Sequence, residues 1–158
     1  MNTTVTSRPL RRADAVRPFV VGAYGFVLLG IGHLAVSAAS ALATRTPQQR
    51  EADTAMREST FTLLGLERTV LDVFNGISIA MALFIVTCGL LIRAAVRHTP
   101  ALVQSRTAFG RITLTLSLAA LAISVLLLPP PPIAVLTITS YAFALSLHRA
   151  VPAARAGS

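Results

Sequence analysis

The chain has no lysine and no tryptophan, and among its 158 residues only 6 acids and one cysteine. Each shortage excludes something. A lone cysteine, Cys88, rules out an intrachain disulfide and any CxxC redox motif, and is expected to act as a small apolar packing residue. Charged residues make up 13% of the chain, about half the share of an ordinary soluble domain. The three histidines, His33, His98 and His148, are scattered, and no His, Cys, Asp or Glu cluster has the spacing of a zinc site. His33 has no second histidine at its depth, so haem ligation is not expected either. No metal, cofactor or catalytic residue is assigned.

What is present is apolar. Hydrophobic residues are 54% of the chain and gather in four stretches, 18–39, 70–92, 112–128 and 133–147. Each approaches the ~20 residues that a helix needs to cross a bilayer core, the last two being short for it. The expected fold is all-α: a four-transmembrane-helix bundle with a short helix on the outer surface. The expected organisation is a basic tail over 1–17, a membrane domain over 18–147 with an outer loop over 40–69, and a second tail over 148–158.

Arginine sets the orientation. The net charge of +8 comes from 14 arginines. Ten lie in three segments that four crossings put on one side: Arg8, Arg11, Arg12 and Arg17; Arg93, Arg97, Arg106 and Arg111; Arg149 and Arg155. The other four are mixed with Glu51, Asp53, Glu58 and Glu67 in the first connection. Such an excess marks the cytoplasmic face, so both termini are expected inside. The arginines sit beside the spans, where they meet anionic headgroups, and no basic stripe with interleaved aromatics calls for nucleic acid. Abundant Ala, Arg and Leu without lysine suggests a bacterial source and hence the inner membrane. A cleaved signal peptide stays open as an alternative for the first span, since Ala41-Leu42-Ala43 is a passable cleavage site; an apolar run of about 22 residues is long for one.

Gly22, Gly25, Leu29, Gly32, Val36 and Ala39 recur at spacings of three and four, on one face of the first span. Small residues let membrane helices approach closely, so Gly22, Gly25 and Gly32 are expected at a helix-packing face, within the bundle or between copies. In the first connection Thr46-Pro47-Gln48-Gln49 reads as a helix start, with Asp53 and Arg57 as an i,i+4 pair over a helix of about 47–60 and Gly65 as its separator from the second span. Prolines 129–132 predict a rigid outer turn, the last of them opening the fourth helix. The hydroxyls of Thr113, Ser117, Ser124, Thr137, Thr139 and Ser140 make too thin a stripe for a pore and are expected to bond to backbone or neighbouring helices. Tyr24 and Tyr141 lie within spans and are expected to need a buried partner for their hydroxyls.

His33 is the one ionisable side chain well inside a span. It lies 15 residues beyond Pro18, about 22 Å along the helix, which leaves it about 8 Å below the outer surface of a ~30 Å core. Asn75 falls at a matching depth in the second span, with Asp72 one turn above it and Arg68 one turn above that. Arg68, Asp72 and Asn75 are expected to form a polar ladder against which His33 docks, either as a structural network or as a binding site. Ser37, Ser40 and Ser78 are available nucleophiles, and nothing in the sequence ties one of them to His33.

Gly30-Ile31-Gly32-His33 in a first span, a long outer connection, then Phe61, Gly65, Arg68-Thr69, Asp72 and Asn75-Gly76 leading into a second span and a final hairpin together form a pattern. It resembles a group of small uncharacterised bacterial four-helix membrane proteins, across most of 18–147. The resemblance implies fold and location, and carries no activity. The expected function is that of an interaction subunit or of a binder of lipid or another apolar small molecule, with membrane lipids as partners. One alternative is a small membrane enzyme or transport component that moves protons through His33 and Asp72; another is a homo-oligomeric scaffold packed through the glycine seam.

Overall fold

The computed structural model describes residues 8–104 and 107–150. Expectations that rest on residues 1–7, on Arg106, on the tail beyond Ala150 with Arg155, and on the side chains of Arg8, Arg11 and Arg12 lie outside what it describes. Among the described residues there are six helices and one two-stranded hairpin, an all-α architecture. The helices are α1 (Arg8–Leu42), α2 (Pro47–Glu58), α3 (Val70–His98), α4 (Ala101–Gln104), α5 (Ala108–Leu127) and α6 (Pro130–Arg149). Strands β1 (Thr60–Leu63) and β2 (Leu66–Thr69) stand between α2 and α3. Four helices are long and apolar enough to cross a membrane: Ala15–Leu42 within α1, α3, α5 and α6.

The helix ends follow from local chemistry, and most lie beyond the apolar runs. α1 starts at Arg8, so residues 8–17, expected as a tail, are helical. Pro18 lies inside this helix; it removes one backbone hydrogen bond, and the rest of the ladder carries through. α5 starts four residues before the apolar run because Thr107 caps it, its hydroxyl accepting from the Gly110 N–H at 3.5 Å. The proline run does not form the turn expected of it. Pro129 is the N-cap of α6 and the next three prolines enter the helix. First-turn N–H groups have no intrahelical acceptor, so proline loses nothing there. Both α5 and α6 thereby reach 20 residues, about 30 Å.

α2 begins as its sequence predicts. Thr46 Oγ1 accepts from the Gln49 N–H at 3.3 Å, Gln49 Oε1 accepts from the Thr46 N–H at 2.9 Å, and Pro47 takes the first position. Asp53, however, pairs with Arg45 rather than Arg57. An exposed i,i+4 pair is worth only about 0.2–0.5 kcal/mol, too little to hold Asp53 against a second arginine within reach. α2 buries none of its residues.

Residues 59–69, expected as a plain connection, fold into a hairpin. β1 and β2 pair antiparallel with Thr60 opposite Thr69, Phe61 opposite Arg68 and Thr62 opposite Glu67. A two-residue turn joins them, with positive φ at both Leu64 (53°) and Gly65 (81°), as type I′ geometry requires. The base is closed by the Val70 N–H donating to Ser59 O at 2.9 Å. Thr69 then caps α3, its hydroxyl accepting from the Asp72 N–H at 3.1 Å.

The chain divides into two compact units, one of residues up to Leu29 and from Val86 onward, the other Gly30–Ile85. The first has its core at Phe19, Val96, Val103 and Phe143. Phe19 sits between Phe143 and Phe109, with ring centroids 4.7 and 5.8 Å away, and Phe26 lies 5.9 Å from Phe143. Outside that cluster the interior mixes Ala15, Ala23, Leu136 and Ala142 with buried hydroxyls. α5 buries Gly110, Thr113, Ser117 and Ser124, and exposes Ile112, Leu116, Leu118, Ile123, Val125 and Leu126. Ser140 Oγ donates to Ser117 Oγ at 3.1 Å, and Ser146 Oγ donates to Ala15 O at 2.6 Å. Thr113, Ser117 and Thr137 bond back to carbonyls of their own helices.

Candidate functional site

The second unit brings α1 and α3 together at His33. Its Nε2 lies 2.7 Å from Ser78 Oγ, in a part-buried contact. The partner is therefore Ser78, a residue the sequence offered without linking it to His33. The reason lies in the buried stripe of α3. Leu71, Ala82, Gly89 and Val96 are buried along it and Ser78 is half-buried, at spacings of seven, four, seven and seven. Asp72 is one residue off that stripe, turned by about 100° around the helix. It is exposed, and its place in the first turn of α3 suits a carboxylate facing the positive helix end.

The ladder does not form as expected. Arg68 belongs to β2, not to α3, and its Nη1 donates to the neighbouring Glu67 O at 3.1 Å. Asn75 is on the helix but exposed. Arg68, Asp72 and Asn75 thus border the N-terminal end of α3, and the contact made across to α1 is His33–Ser78. A serine hydroxyl 2.7 Å from an imidazole has nucleophile–base spacing. Acyl transfer needs in addition an orienting acid and oxyanion donors, and Asp72 is exposed in the first turn of α3, one residue off the stripe that carries Ser78. Among the described residues no three His, Cys, Asp or Glu are grouped to hold a metal ion.

The expected packing glycines behave differently from one another. A Cβ on Gly22 would fall 2.5 Å from the Phe143 ring, and one on Gly25 would collide with Thr139 Oγ1, so both admit α6 closely. Thr139 Oγ1, which a Cβ on Gly25 would meet, is buried without a hydrogen-bond partner. A Cβ on Gly32 would meet nothing within 4 Å. Gly89, which the sequence did not single out, approaches backbone rather than a side chain: its Cβ would fall 2.7 Å from Ala23 O. The tyrosines also differ from expectation. Tyr141 is 68% exposed on α6, and Tyr24 is exposed with the Arg93 guanidinium 5.4 Å from its ring centroid. Neither hydroxyl is drawn into the interior, because α6 fills its inner face with Thr139, Ser140, Phe143 and Ser146.

Comparison with family models, curated proteins and solved structures gives no match to this chain. Function has to be argued from the geometry above.

Proposed function

We propose that the chain is a four-span integral protein of a bacterial inner membrane that binds a lipid or another apolar small molecule, or serves as a membrane interaction subunit, without catalysing a reaction. The inverted burial of α5 supports the membrane reading. Water would drive Ile112, Leu116 and Leu126 inward and leave the serines outside; hydrocarbon imposes no such order and favours small and hydroxyl side chains between helices. The arginine excess supports cytoplasmic termini, with α2 and the hairpin on the other side. Fold and location on this reading are those of the small bacterial membrane proteins that the Gly30–His33 and Arg68–Asn75 motifs resemble.

The His33–Ser78 contact carries the binding reading. It is a half-buried polar pair on helices whose exposed faces nearby are Ile31, Phe74, Ile77 and Met81. A ligand with an apolar body and one hydrogen-bonding group fits such a surroundings, with the second ring nitrogen, Nδ1, turned to its polar head. Native mass spectrometry of protein extracted gently with its own lipids tests this. The wild type is expected to carry a defined adduct that His33→Ala and Ser78→Ala lose while thermal unfolding in detergent stays cooperative. An adduct unchanged in both variants, or none on the wild type, contradicts a binding site at His33.

A further inference from the structure

The β1–β2 hairpin is amphipathic. Opposed residues of an antiparallel pair share a face and alternate residues switch faces. Phe61, Leu66 and Arg68 therefore lie on one face, and Thr60, Thr62, Glu67 and Thr69 on the other. Phe61 and Leu66 are 37% and 59% exposed, and Leu64 at the tip is 97% exposed. Leu64 also holds a positive φ, a conformation that asparagine or glycine takes far more readily than leucine. Local turn chemistry therefore does not explain a leucine here. An environment that rewards an apolar tip does.

That environment is beside the hairpin. β2 passes into α3 with no intervening residue, Thr69 being followed by Val70 as the first helical position. Strands of four residues extend at most about 13 Å from that junction, roughly twice the ~5–7.5 Å headgroup layer of one leaflet, so a hairpin inclined along the surface stays within that layer. The charges are sorted to match. Arg68, on the apolar face, has the long stem that lets a guanidinium reach lipid phosphate while its neighbours lie deeper; Glu67 is on the threonine face. We propose that the hairpin is an interfacial membrane anchor, with Leu64, Leu66 and Phe61 inserted among the acyl chains of the outer leaflet and Arg68 on its phosphates. The inference rests on the membrane reading of the four long helices.

The absence of tryptophan makes the test direct. Leu64→Trp, Leu66→Trp and Thr62→Trp each give a single reporter on the full chain, and Phe84→Trp, at an exposed site on α3, reports the span itself. The proteins are reconstituted into vesicles of phosphatidylethanolamine and phosphatidylglycerol with brominated acyl chains. The proposal expects blue-shifted emission, quenched by bromine and shielded from iodide, at positions 64, 66 and 84, and iodide-accessible emission at 62. Quenching at 84 with red, iodide-accessible emission at 64 and 66 overturns the anchor and leaves the hairpin in water, open to a protein partner. Equal bromine quenching at 62 and 66 overturns the assigned faces. Absence of bromine quenching at 84 overturns the membrane reading itself.

Discussion

Gly89 and Gly76 lie on the same helix and would respond in opposite ways to one added methyl group. A Cβ on Gly89 meets a backbone carbonyl, Ala23 O, at 2.7 Å, and backbone yields only if the helices part. Gly89→Ala is expected to destabilise by about 1–3 kcal/mol. A Cβ on Gly76 meets nothing within 4 Å, and alanine is the better helix former by about 0.5–1 kcal/mol. Gly76→Ala is therefore expected to raise the midpoint of thermal unfolding in detergent, and Gly89→Ala to lower it. Ser146→Ala removes the bond to Ala15 O, a carbonyl that sits in a helix ladder as well, so about 1 kcal/mol is expected to be lost in the same measurement. Single residues were partly legible in the sequence. Gly22 and Gly25 stand out by spacing on one helix. Gly89 and Ser78 do not, because their importance depends on which face of α3 meets α1, and a nearly uniform apolar helix shows little of that. His33 was legible as an ionisable side chain within an apolar run; its partner was not.

Individual elements are set by end chemistry more than by hydropathy. α2 illustrates this, since its capping box and proline were read from four residues and are present in the structure. Because α2 buries none of its residues, its stability is a local matter. Thr46→Ala is expected to cost α2 about 1 kcal/mol and to speed amide hydrogen exchange at Gln49 by roughly fivefold, leaving the unfolding midpoint of the whole protein unmoved. A lowered global midpoint would mean that α2 is docked after all. The hairpin is hidden in the sequence for a specific reason. Its turn carries Leu64-Gly65 where Asn-Gly would have announced it, and strands of four residues are too short for the alternation of Thr60, Phe61 and Thr62 to stand out. The long helices were legible as apolar runs, and their ends were not. Thr107, the proline run and Pro18 each act through backbone hydrogen bonds rather than through hydropathy.

At the scale of the whole molecule, charge and burial point the same way. The unit of residues up to Leu29 and from Val86 onward has Arg17, Arg93, Arg97, Arg111 and Arg149 and no acid among its described side chains, whereas Glu51, Asp53, Glu58, Glu67 and Asp72 all fall in the other unit, mixed with Arg45, Arg50, Arg57 and Arg68. The first unit also exposes leucine and isoleucine while burying serine and threonine. On the proposed reading a bilayer accounts for both, the first through the positive-inside bias and the second through the solvent that surrounds the helices. Labelling with a membrane-impermeant maleimide tests this most directly, using Ser59→Cys and Thr99→Cys separately in a Cys88→Ala background. Four crossings with cytoplasmic termini predict that Ser59→Cys reacts in intact cells and that Thr99→Cys reacts only after the membrane is permeabilised. The reverse pattern would contradict the orientation, and reaction of both from the same side would contradict the crossing of α3 on which the whole account stands.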